Sequence, residues 1–196
     1  MHLGLDRVLI CSALGQTIVP FAAIDTVLPQ VVIDLYQKSQ PDTIYVITGP
    51  WSFTNVRVGV LVVDILMMIA WSCRIMQTDK ISLYKSLWMH HLLPASLLLY
   101  IGQRKNLWYY DFSQSDEHQV ITHTLFSSLL PANHYAVDMM IDDETPFSFD
   151  AEKIISRWWW EEGPCVLYQG NNLPCASFFT PTEKLQPYYA MHANLA

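Results

Sequence analysis

Gly49 to Gly59 read GPWSFTNVRVG, between a β-rich run, TIYVIT at Thr43 to Thr48, and a long apolar segment that starts near Thr54. A strand that ends in Gly-Pro must turn, because glycine opens backbone conformations closed to other residues and proline fixes φ and removes a donor. Ser52 or Thr54 then offers a side-chain oxygen to the free N–H groups of a starting helix. The stretch reads as strand, turn, helix. Arg57 falls in the first helical turn, where the helix dipole disfavours a cation, so a specific acceptor for its guanidinium is expected. In the plainer reading, Gly49, Pro50, Ser52, Phe53, Thr54, Arg57 and Gly59 only shape the loop.

Working outward, Ile24, Leu28, Val31, Val32 and Leu35 fall at helical spacing over Ile24 to Gln37, and a Ser-Gln-Pro-Asp break follows. Before them, RVLICSAL (Arg7 to Leu14) and QTIVPFA (Gln16 to Ala22) read as two strands around Gly15. The second helix runs from Thr54 to Cys73. This gives the order β-β-α-β-turn-α. Downstream, Ser96 to Asp111 reads as a hairpin through Gly102 to Asn106, Ala151 to Trp160 as a helix and Val166 to Gln169 as a short strand; the tail from Pro181 has no strong period. The polar stretch Arg74 to Lys80 predicts a boundary, with two α/β subdomains over residues 1–80 and 81–196.

Composition bounds the function. Of 196 residues, 52% are apolar and 15% charged, which is the make-up of a packed domain and not of a disordered chain. A formal net charge of −7 with only 11 scattered basic residues argues against a direct grip on nucleic-acid phosphates. Cys11, Cys73, Cys165 and Cys175 show no close pair, so they read as buried apolar residues of a reducing compartment, with neither zinc nor disulfides expected. The opening residues lack a basic region followed by an apolar one, so no signal peptide is expected. The apolar runs Val58 to Trp71, which contains Asp64, and Leu92 to Ile101, which is cut by Pro94, are too short to span a membrane. They are expected in the core of a cytoplasmic protein.

Nine of the eleven positions from Gly49 to Gly59 agree with GPGSFTG-[VIL]-R-[VIL]-G, and on this motif the chain resembles the TsaB family. That family lies within the actin-like ATPase superfamily, whose fold is ribonuclease H-like. The helix with Leu28-Pro29 is similar to the family's first long helix, and Leu93 to Phe112 and Pro187 to Ala190 resemble it more faintly. Trp51 and Asn55 replace two motif glycines, and the chain is shorter than typical members. Ile10-Cys11-Ser12 stands where ATPase relatives carry an aspartate, so no nucleotide or other cofactor is expected.

The resemblance implies a non-catalytic scaffold that pairs with a TsaD-like transferase subunit, with a TsaE-like ATPase as a further member, in making N6-threonylcarbamoyladenosine at position 37 of tRNA. The tRNA would be met only through the complex, and a homodimer stays open. The family contact is a bundle of the first two helices of each subunit, which here assigns Leu28, Val31, Val32, Leu35, Val58 and Leu61 to the interface. The high apolar content of the second helix fits a helix packed on its own sheet and on a partner.

Two other classes stand beside this. A metal enzyme would draw on Asp111, Asp116, Glu117, His118, His123, His134 and Asp142-Asp143-Glu144, whose spacing matches no metal motif and reads better as solvated loops. No Ser/His/Asp or HExxH arrangement supports a peptidase. A pure interaction protein unrelated to tRNA modification would expose Trp108-Tyr109-Tyr110 and Trp158-Trp159-Trp160 as anchors and hide the two helices, while a diverged fold-only relative that binds another protein is the alternative to the scaffold.

Overall fold

The computed structural model describes residues 1–3, 7–49, 53–70, 72–100, 107–115, 117–137, 150–160 and 163–187. The first half runs β1 (His2–Leu3), β2 (Arg7–Ser12), β3 (Gly15–Pro20), α1 (Ile24–Ser39), β4 (Thr43–Ile47), α2 (Phe53–Ile69), β5 (Arg74–Thr78) and α3 (Lys80–Met89). The second runs β6 (Ser96–Tyr100), β7 (Leu107–Asp111), β8 (Gln119–Ile121), α4 (His123–Leu129), β9 (His134–Val137), β10 (Ile154–Trp160), β11 (Pro164–Tyr168), β12 (Asn171–Pro174) and β13 (Thr180–Pro181). They pack as two compact units. Unit 1 is Met1–Leu83 with Trp160–Glu162 and Ala176–Ala196, and unit 2 is Tyr84–Trp159 with Gly163–Cys175.

The sheet of unit 1 has the order β13-β5-β4-β1-β2-β3. β1, β2 and β3 form an antiparallel meander, while β4 pairs parallel with β1 and β5 parallel with β4. Parallel neighbours need crossovers, and α1 and α2 supply the helices on either side of β4. The sheet of unit 2 has the order β12-β11-β10-β9-β6-β7-β8, and it repeats the scheme. There β6, β7 and β8 form the meander, α4 crosses over, β9 pairs parallel with β6 and β10 parallel with β9. Numbered within each unit, the strand order is 3-2-1-4-5 twice. This is the ribonuclease H-like arrangement, present once in each unit.

Local sequence explains the element ends. The β2–β3 hairpin closes where Ser12 Oγ accepts from Leu14 N at 3.2 Å and Gly15 takes φ +117°, in the region glycine favours. α1 ends in a left-handed Gln40 (φ 40°), whose N–H donates to Tyr36 O at 2.8 Å, and Pro41 prevents any continuation. Asp79 starts α3 by accepting from the Ile81 and Ser82 amides, both at 2.9 Å.

Two expectations need correction, the helix over Ala151 to Trp160 and the end of the second helix. Ala151 to Trp160 is not a helix but a short 3-10 turn, Ala151–Lys153, that leads into β10. Ile-Ile-Ser-Arg-Trp-Trp-Trp is β-branched and aromatic, and Ile154 and Ile155 pair with Tyr135 and Ala136. Within the polar stretch, Arg74 to Thr78 pair residue by residue with Thr43 to Ile47 as β5, and the first long segment of unit 1 ends at Leu83. The second helix stops at Ile69, short of Cys73.

Unit 1 is built around an aliphatic core in which Val8, Val19, Leu28, Val46, Val56, Val63, Leu66 and Ile75 are buried. Each such side chain contributes about 1.5–3 kcal/mol of transfer free energy. In unit 2, one cluster joins Leu98, Leu107, Ile121, Phe126 and Tyr135. Trp108, Tyr110 and Phe112 add an aromatic stack, with Trp88 on Phe112 at 6.1 Å and Phe112 on Tyr110 at 5.5 Å.

Candidate partner-binding face

α2 divides into two faces. At 100° per residue, Val56, Val62, Val63, Leu66 and Ala70 point to one side, and all are buried in the unit 1 core. Leu61, Ile65 and Met68 fall on the opposite side, with Ile69 at its edge, and the four are 59%, 45%, 72% and 55% exposed. The exposed Arg57 and the half-buried Asp64 flank that row. Asp64 makes use of its place in an apolar run, because Oδ1 accepts from Leu185 N at 3.4 Å. On α1, which packs against α2, Ile24, Leu28 and Val32 are buried and Val27 is exposed.

Of the residues assigned to the interface from sequence, Leu28 and Val32 lie in the core of unit 1, and Val31, Leu35 and Val58 pack partly buried against it. Leu61 is the one that stands in the exposed row. Ile65, Met68, Ile69 and Val27 are exposed on the same two helices and are not among the assigned residues. Their signal was present in the sequence, since a helix that is apolar all round and packs one face on its own sheet must leave apolar residues on the other.

In the motif loop, Gly49 is buried at φ +131°, and its carbonyl accepts from Lys80 N at 2.7 Å. Pro50, Trp51 and Ser52 lie outside the described residues, and Phe53 and Thr54 open α2 with side chains that are not described. Gly59 is buried, and Arg57 is exposed on α2. Beside this turn Thr48 is fully buried, its hydroxyl donating to Thr78 O at 3.4 Å, and Lys80 is 1% exposed. Nothing in the polar pattern of Arg74 to Lys80 announced a buried lysine.

The residues weighed as metal ligands are dispersed. The Asp111 carboxylate is occupied locally, accepting from Ser113 N at 3.0 Å, Ser113 Oγ at 2.5 Å and Gln114 Nε2 at 2.8 Å. His118 stacks on Trp108 at 3.9 Å, and burial lowers its pKa against the opposing pull of Glu117. His134 meets Tyr168 edge-on at 5.4 Å, and burial and then Lys153 lower its pKa while Asp150 opposes them. Asp116 and Asp142 to Glu144 lie outside the described residues, and the side chain of His123 is not described. Among the described residues no group of three or more His, Cys, Asp and Glu could hold a metal ion.

None of the four cysteines is in a disulfide; Cys165 and Cys175 are buried, and Cys11 and Cys73 are half-buried. Burial, with Cys165 nearby, pushes the Cys175 thiol far up, so it is inert as a nucleophile. Trp108 and Tyr110 are core residues rather than binding anchors, and the side chains of Trp158 to Trp160 are not described. No helix among the described residues is long and apolar enough to cross a membrane.

Fold and face together define a ribonuclease H-like protein of two units that offers a helical apolar row. Among solved structures the chain is similar to YeaZ from Pseudomonas aeruginosa, at 17% identity over 62% of either chain with a TM-score of 0.37. It is also similar to an uncharacterized protein with similarity to peptidase YEAZ, from the same organism, at 16% identity over 61% of either chain with a TM-score of 0.37. The matched part thus spans less than two thirds of each of these proteins. No family model and no curated protein matches the chain.

Proposed function

We propose that this chain is a non-catalytic partner subunit that docks, through α1 and α2 of unit 1, on a TsaD-like transferase subunit of the machinery that makes N6-threonylcarbamoyladenosine in tRNA. The observation that carries the reading is the exposed row Leu61, Ile65, Met68 and Ile69. Four large apolar side chains on one helix face are suited to the dry centre of an interface. The Gly49 to Gly59 motif and the doubled 3-2-1-4-5 strand order support the choice of partner. In this reading the chain works in the cytoplasm, needs no cofactor and meets tRNA only through the complex, with a TsaE-like ATPase as a further member.

The test is co-purification with the TsaD-like subunit of the same organism, comparing wild type with Ile65→Asp plus Met68→Asp. Both positions are exposed, so the double variant is expected to keep its circular dichroism and lose the complex. Capture of the folded double variant at the wild-type level would remove α2 from the interface. Failure of the wild type to form a complex would reject this partner and leave a fold-only relative whose α2 row docks on a different protein.

A further inference from the structure

We infer that residues 179–186 form a latch on unit 1 that opens before the sheet does. This segment returns the chain to β5 and α2, yet its sheet ladder is only two residues long, Thr180 facing Gln77 and Pro181 facing Met76. Beyond the ladder, Thr182 N donates to Ile75 O at 3.1 Å. The next stretch curls on itself, the Thr182 hydroxyl donating to Lys184 O at 2.5 Å and accepting from Lys184 N at 3.2 Å.

The far end is held by side chains. The Gln77 amide acts as a substitute peptide group, its Nε2 donating to Gln186 O at 3.0 Å and its Oε1 accepting from Gln186 N at 2.8 Å. Leu185 N donates to Asp64 on α2 at the long distance of 3.4 Å. Two apolar anchors close the segment. Phe179 meets Tyr45 edge-on at 5.1 Å, and Leu185, 1% exposed, enters the core cluster of α1, α2 and the sheet.

Thr180, Pro181, Glu183, Lys184 and Gln186 are exposed, so opening costs two buried side chains, Phe179 and Leu185, one amide clip, a two-residue ladder and the single bonds to Ile75, Gln77 and Asp64. The β4–β5 pairing is five residues long and backed by the aliphatic core. Segments with little buried apolar area and solvent-exposed hydrogen bonds open at lower free energy than the global fold. Opening bares the apolar recess that Leu185 fills, next to the Asp64 flank of the α2 row.

Native-state hydrogen exchange on the full chain tests this. The amides of Thr182, Leu185 and Gln186 report on the latch, and those of Val46 and Thr48, the latter donating to Thr78 O at 3.0 Å, on the sheet. In the wild type the latch amides are expected to exchange at least about tenfold faster than the sheet amides and with a weaker dependence on denaturant. In Gln77→Ala the Leu185 and Gln186 amides should exchange faster still while Val46 and Thr48 keep their wild-type rates. Equal rates and equal denaturant dependence in the wild type, or a Gln77→Ala variant in which all five amides accelerate together, would show the segment to be part of the global unit and overturn the latch.

Discussion

Units 1 and 2 build one strand order from different side chains. Unit 1 fills its interior with Val, Leu and Ile from β2, β3, α1, β4 and α2. Unit 2 relies on Trp108, Tyr110, Phe112, Phe126 and Tyr135, with a histidine set against an aromatic ring in two places. Strand order is a property of backbone hydrogen bonds and crossover handedness, so it tolerates this exchange of chemistry. Response to mutation and pH is a property of the side chains and should differ between the units.

The largest expected effect comes from emptying each core. Trp108→Ala should cost about 3–5 kcal/mol and Leu28→Ala about 2–5 kcal/mol, whereas Leu61→Ala on the exposed row should stay within about 0.5 kcal/mol. Urea unfolding followed by amide signals from each unit would read this out. A loss at Leu61 equal to that at Leu28 would refute the two-faced reading of α2. The Trp108 figure includes one offset, because its indole Nε1 is buried with no acceptor among the described residues. Trp108→Phe removes that orphan donor, worth about 1–3 kcal/mol, and should therefore be far milder than Trp108→Ala.

A second break concerns acid. Burial holds His118 and His134 below the ordinary histidine pKa of 6.5, so in the folded state they bind fewer protons than in the unfolded chain. Their contribution is present above pH 6.5 and is lost as pH falls through the lowered folded values. Unit 2 should therefore lose stability on acidification below pH 6.5. His118→Phe, which keeps the stack on Trp108, should flatten that slope in a pH series of thermal unfolding; an unchanged slope would remove His118 as its source.

The smallest effect sharpens the comparison from the side of unit 1. Gln40 carries a left-handed conformation that glycine adopts freely, so Gln40→Gly should stabilise α1 by about 0.5–1 kcal/mol. A loss of stability in the same unfolding assay would mean that contacts of the Gln40 side chain outweigh its backbone strain.

These differences also explain what could be read in advance. In unit 1, β2, β3, α1, β4 and α2 were legible because each is long enough for its period to show, and Gly15, Pro41 and Gly49 mark the ends. In unit 2, β8 has three residues and α4 seven, too short to establish a period. β10 was read as a helix because a short apolar run fits either type, and its pairing with β9 decided the matter. The two helices α1 and α2 were legible, but the residues assigned in them to an interface were mostly the inward ones. The strongest apolar periodicity in α1 marks what packs on the sheet.

The sequence by itself determined that the chain folds, that it opens as strands, helix, strand and helix, and that a Gly-Pro turn at Gly49 redirects β4 toward α2. Those are local properties, set by propensity, periodicity and turn chemistry over a few residues. Only the tertiary structure decided that Arg74 to Thr78 is an interior strand and that the second unit repeats the order of the first. It alone put Leu28 inside and Ile65 and Met68 outside, and tied Leu185 back to α2 across more than a hundred residues. Each of these depends on which distant backbone satisfies a hydrogen bond or covers an apolar face, and no local pattern contains that information.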